Sequence, residues 1–176
     1  MSELHQDALT SRQRQHQFLD FFEPDASENI EQVIVDALSG AHRVRMLAFL
    51  VSDPGILDAL AKFAPNTADI SGVYDPHGMQ DVLRFSKQDP SRFWFMRDPR
   101  FAAAPSHAFN PKGEQNFMHN KVFIIDDQLV LTGSYNFSEN AEANDENLVV
   151  IDSPAVAAAY TAYFDALYKK YSGSSQ

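Results

Sequence analysis

A histidine, a lysine, a serine and an asparagine recur in this chain at a spacing suited to chemistry on phosphorus. His119 and Lys121 open the stretch, Asp126 follows after four residues, and Gly133, Ser134 and Asn136 follow after six more. An ammonium and a carboxamide can hold non-bridging phosphoryl oxygens, and a hydroxyl adds a further donor. The imidazole is then available as nucleophile or general acid/base. Gly133 lets backbone come close without a Cβ in the way. His-x-Lys alone reads as a surface pair. At about one in twenty per residue, all six positions together have odds on the order of 10⁻⁸ per starting point, so the pattern is no coincidence.

The elements that must position these groups form a hairpin. Val122 to Ile125 is a short apolar, β-branched run, Leu129 to Leu131 is another, and Asp126-Asp127-Gln128 between them is turn chemistry. So short a turn demands antiparallel strands, which brings the His/Lys end beside the Gly-Ser-x-Asn end. Residues two apart on a strand share a face, so His119 and Lys121 point the same way.

This H-x-K-x4-D-x6-G-S-x-N pattern resembles the signature of the phospholipase D superfamily, with all six positions matched, and Asn144-Asp145-Glu146-Asn147 before an apolar strand resembles the family's continuation. The resemblance covers residues 18–171 and is strongest from Met118 to Ile151. It implies an α/β fold and a phosphodiesterase that works through a phosphohistidine on His119. It implies that Lys121, Asn136 and Ser134 hold the phosphoryl group and that no metal or other cofactor is needed. Glu146 stands where the family places an acidic residue, and the role implied is to fix the tautomer of the nucleophilic imidazole. Asp126 and Gly133 are read as structural. The family's active site uses two motif copies across a pseudo-twofold axis, and this chain carries one. Two arrangements follow: a homodimer through the motif face, favoured by a short chain with its own Met1, or the second half of a two-motif protein whose first-motif half lies elsewhere.

The chain's 176 residues suggest one domain with a real core, read here as an N-terminal arm (1–17), one domain (18–171) and a disordered tail (172–176). Cysteine is absent, which excludes disulfides, thiolate metal sites and a catalytic thiol. No apolar run approaches a membrane span and the N-terminus is no signal peptide, so a cytoplasmic protein or an excised domain is the expectation. The net charge is −10, yet seven basic residues against three acidic ones from Arg84 to Lys121 suggest a local positive funnel leading into the motif.

In chain order, Phe18 to Phe22 reads as a strand, and Asp25 with Glu28 as a capping box opening a helix to Leu38. Strands are expected at Val44–Val51, Ile70–Tyr74, Phe93–Met96 and Leu148–Ile151. Helices are expected after Asp53-Pro54, over Met79–Ser86, and from Ser153-Pro154 to Tyr171. Residues 97–117 read as a long loop rimming the site. The alternation predicts an α/β fold with a mixed, largely parallel sheet sandwiched by helices. The other histidines (His5, His16, His42, His77, His107) lack metal-ligand spacing. Phe109, Phe117 and Tyr135 are candidates for stacking on bases.

The favoured reading is therefore a nuclease-like phosphodiesterase with nucleic acid as substrate. A phospholipid hydrolase, a phosphate-gripping module and a half-site awaiting its other half are the alternatives.

Overall fold

The computed structural model describes residues 17–19, 29–85, 87–106 and 116–173. Seven strands form one sheet, in the order β1-β7-β6-β5-β2-β3-β4. They are β1 (Gln17–Leu19), β2 (Arg43–Ala48), β3 (Asp69–Tyr74), β4 (Phe101–Ala103), β5 (Lys121–Ile125), β6 (Leu129–Gly133) and β7 (Leu148–Asp152). Among the described residues the α-helices are α1 (Ile30–Gly40), α2 (Pro54–Ala61), α3 (Pro76–Phe85) and α4 (Pro154–Ser172).

Alternation along the strands divides the core between the two faces of the sheet. On one side Val44, Met46, Phe123, Ile125 and Leu131 pack with Ile34 and Leu38 of α1 and Ile56, Leu57 and Leu60 of α2. On the other, Leu47, Val122, Ile124 and Val130 meet Ala157 and Phe164 of α4. Every residue of β5 is buried, because this strand is covered on both faces. Local signals set the helix starts. Asp53 accepts from the Ile56 N–H at 3.0 Å ahead of Pro54, and Ser153 caps α4 ahead of Pro154.

The sheet is mixed, but the largely parallel part of the expectation needs correction. Only β2–β3 and β3–β4 pair in parallel, and the other four pairings are antiparallel. The connections from β5 to β6 and from β6 to β7 carry no α-helix, and a parallel pairing would need a longer crossover.

Phe93–Met96 is not a strand. Asp89 caps a 3-10 helix over Pro90–Arg97, accepting from the Ser91 N–H at 2.8 Å, with a kink at Phe93. Its alternating aromatics imitate a strand because Phe93 and Phe95 both turn inward, while Phe95 and Trp94 pack on Phe101 with ring centroids 5.6 and 5.5 Å apart. The expected long loop instead contains β4, an edge strand beside β3. The first helix begins at Ile30 with Asn29 as its cap, accepting from the Glu31 N–H at 2.8 Å. Asp25 and Glu28 lie outside the described residues, as do His5, His16, His107 and Phe109. The last helix runs to Ser172, one residue into the expected tail, and Gln17 of the expected arm belongs to β1.

Candidate active site

The motif hairpin closes through Asp126 and Asp127, both with positive φ (52° and 53°), and the Gln128 N–H reaches the Ile125 carbonyl at 3.0 Å. Two left-handed residues in succession are what a tight hairpin turn following the sheet's twist requires, and Asp tolerates that backbone better than most residues. The Asp126 carboxylate accepts from the His42 and Arg43 N–H groups at 2.9 and 2.6 Å, tying the turn to the start of β2. Burial pushes this carboxyl up, but the two backbone donors outweigh it and hold it below the usual carboxylate range. Asp126 thus sits at the far end of the hairpin from His119 and shapes the turn.

The opposite end gathers the chemistry. Ala48 pairs with Lys121, and the next residue along β2, Phe49, donates its N–H to the Asn120 carbonyl at 2.9 Å. The site therefore lies where the carboxyl ends of β2 and β3 meet the start of β5, the usual place for a ligand in an α/β sheet. Lys121 is buried, and its Nζ donates to the His119 carbonyl oxygen at 2.9 Å. The same nitrogen lies 2.9 Å from Nδ1 and 3.1 Å from Nε2 of the His119 ring. The His119 ring packs on Phe49 with centroids 4.8 Å apart while the residue stays exposed.

Burial and the Lys121 charge hold His119 below the usual histidine range, against an upward pull from Asp75. This favours the neutral imidazole, the form a nucleophile needs. Burial also lowers the Lys121 ammonium to about 8, with the Glu146 carboxylate pulling the other way.

Across the hairpin, Val122 pairs with Thr132, so Lys121 comes opposite Gly133. A Cβ on Gly133 would stand 2.1 Å from the Asn147 carbonyl oxygen, so only glycine fits there. Ser134 donates its N–H to Asn147 Oδ1 at 3.0 Å, and its hydroxyl accepts from the Asn147 N–H at 3.0 Å while donating to Glu146. Asn136 is half-buried, and its Oδ1 has no hydrogen-bond partner among the described residues. The structure places the Glu146 carboxylate on the Ser134 hydroxyl and, at 3.4 Å, near Asn144 Nδ2. No hydrogen bond or ion pair joins Glu146 to the His119 ring among the described residues.

Sequence reasoning missed Asp75. It is wholly buried at the end of β3 and accepts from the Gly78 N–H (2.9 Å), the Ser106 hydroxyl (2.9 Å) and the Met118 N–H (3.2 Å). Met118 immediately precedes His119, so this carboxylate fixes the backbone that presents the nucleophile. Its signal was present as an Asp-Pro closing a strand at the sheet's ligand end. His77 joins through its Nδ1, 3.1 Å from the Ser106 hydroxyl. Phe117 is exposed, two residues before His119 in the chain, and packs nearly perpendicular to Phe49, with ring centroids 5.8 Å apart. Tyr135 is buried and does not qualify as a stacking residue: past the end of β6 its ring packs into the core instead. The expected positive funnel is reduced as well. Arg92 pairs with Asp58, and Arg100 is spent on Asp98 and four backbone carbonyls.

Residues 34–168 match a family model described as the phospholipase D-like domain of cardiolipin synthase. A mitochondrial cardiolipin hydrolase from Xenopus laevis is 36% identical over 56 residues, which is 31% of this chain and 27% of that protein. The chain thus spans about a quarter of the length of the curated relative it matches. Among solved structures, Nuc from Salmonella typhimurium, a phospholipase D family member, superposes with a TM-score of 0.63 at 23% identity, covering 84% of this chain and 91% of that one. The phosphatidylserine synthase of Haemophilus influenzae superposes with a TM-score of 0.63 at 18% identity, covering 86% of this chain and 36% of that one. Both likenesses are of fold.

Proposed function

The chain belongs to the phospholipase D-like family, and from that premise we propose that it is a phosphodiesterase acting on nucleic acid, needing no metal at phosphorus. A neutral His119 nitrogen attacks phosphorus and displaces the leaving oxygen, which takes a proton from the partner's His119 in its protonated, imidazolium form. That second imidazole, now neutral, removes a proton from water as the water attacks the phosphohistidine and frees His119. Lys121 and Asn136 from each copy hold the equatorial oxygens, and preorganised donors of this kind are worth several kcal/mol in a dry site. Ser134 serves through its contact with Glu146, which places a carboxylate within electrostatic reach of the Lys121 ammonium.

The observation that carries this reading is the pairing of an exposed imidazole with a buried ammonium 2.9 Å from its ring. Phosphate contacts favour a polyanion, and the exposed Phe117, two residues before His119, offers a ring on which a base can stack. None of the described helices is long and apolar enough to cross a membrane.

The test offers end-labelled single-stranded DNA, duplex DNA and RNA beside vesicles of cardiolipin or phosphatidylcholine. Cleavage of an oligonucleotide, abolished in His119→Ala, with an acid-labile phosphate trapped on His119, is the expected result. Turnover confined to the vesicles would overturn the nucleic-acid assignment, and undiminished turnover by His119→Ala would overturn the mechanism.

A further inference from the structure

Behind the Gly-Ser-x-Asn turn, Glu31, Asp53 and Glu142 converge from the first turn of α1, the N-cap of α2 and the 3-10 helix over Glu139–Ala143, their nearest carboxylate oxygens all within 4.8 Å of one another. Among the described residues no Lys, Arg or His forms an ion pair with any of them. Asp53 is wholly buried. Its Oδ1 caps α2, but its Oδ2 has no hydrogen-bond partner among the described residues. The Tyr135 hydroxyl has none either and is buried; burial and the charges of Asp53, Glu142, Glu31 and Glu146 push it up. Each buried polar atom without a partner is costly unless a further group satisfies it.

Backbone is shaped to admit the third carboxylate. A Cβ on Gly55 would stand 1.9 Å from Glu31 Oε1, so the glycine opens the space that this side chain occupies. The N-terminus of α2 offsets part of one negative charge. Two remain, with no ion pair to a cation among the described residues to offset them.

We propose that this cluster is a binding site for a hard divalent cation, best fitted by Ca²⁺, held by Glu31, Asp53 and Glu142 with the Tyr135 hydroxyl as a neutral oxygen donor. Oxygen-only donors of this charge select hard cations over zinc or copper. Oxygens within 4.8 Å of one another can share a shell, and the larger, more flexible Ca²⁺ shell demands less exact geometry of them than Mg²⁺ does. The role is structural. The Phe137 carbonyl accepts from the Ser52 and Asp53 N–H groups at 2.7 and 3.0 Å, so the cation would clamp α1 and α2 under the loop that carries Ser134 and Asn136. The site lies outside the proposed phosphoryl chemistry and does not depend on that reading.

The full chain, stripped with EDTA and dialysed, is titrated with CaCl₂ by calorimetry and melted with and without 1 mM CaCl₂ at matched ionic strength. One site per chain and a rise in Tm of about 5 °C are expected. Glu142 is exposed, so Glu142→Gln should fold, lose at least about tenfold in affinity, and forfeit the Tm gain. Its metal-free Tm should not fall, because a repulsion has been removed. No response above about 1 °C to Ca²⁺, Mg²⁺ or Mn²⁺ would overturn the site. So would a gain that Glu142→Gln retains, or stabilisation by lowering pH through 7 alone, which would make protons the occupant.

Discussion

Burial and a neighbouring ammonium hold His119 below the usual histidine range, while Lys121 is lowered to about 8 with Glu146 pulling upward. These shifts have a kinetic signature. One His119 must be neutral as nucleophile while its mate is protonated as acid, and the oxygen-holding lysine must be charged, so kcat/KM should be bell-shaped. It should fall toward lower pH as the nucleophile gains a proton and toward higher pH as the donor loses one, with a further fall near 8 as Lys121 loses its charge. Glu146→Gln removes the charge that raises Lys121, so that further fall should move to lower pH; an unmoved fall would take Lys121 out of that role. His119→Ala should lower kcat by roughly four orders of magnitude or more, as removal of a nucleophile does. Its Tm should stay within about 2 °C of the parent's, since the residue is exposed, and a thermal melt beside the rate assay separates lost chemistry from lost fold.

The motif hairpin is the element whose geometry the sequence states most completely, and its turn can be tested apart from the chemistry. Asp126→Ala removes the acceptor for two backbone N–H groups and puts a less tolerant residue at φ 52°. A loss of about 1–3 kcal/mol in urea unfolding is expected, with kcat per folded molecule unchanged, because His119 and Lys121 lie at the other end of β5. A large fall in kcat at full stability would instead make Asp126 catalytic. This hairpin was legible because strand, turn and strand are contiguous, and apolar alternation and turn chemistry are local signals. The capped, proline-led starts of α2 and α4 were legible for the same reason. Phe93–Met96 was not, since inward aromatics at every second position suit a kinked 3-10 helix as well as a strand, and Asp89-Pro90 decided between them. Strand β4 was hidden because three residues carry no period, and their pairing with β3 is settled by tertiary contact alone. Asp75, and the acidic cluster drawn from positions 31, 53 and 142, were out of reach for a further reason: their partners meet only after the sheet has assembled.

At the scale of the molecule, the decisive quantity is how many motif copies one active site needs. A single copy supplies one imidazole, whereas the proposed reaction uses two at once, one as nucleophile and one as proton donor. An isologous twofold contact is the simplest way to bring a second His119 opposite the first, because one surface then serves both subunits. Light scattering should report about twice 19.8 kDa at micromolar concentration. Mass alone does not say that the shared site sits at the contact, but mixing does. If wild-type and His119→Ala chains are unfolded together and refolded, dimers form at random and only those with two intact histidines turn over. Activity should then follow the square of the wild-type fraction, so that an equal mixture retains about a quarter of the full rate rather than half. A linear dependence would mean that each chain acts alone with its own imidazole, and the proton donor would then have to be sought within one chain, starting from His77 behind Ser106.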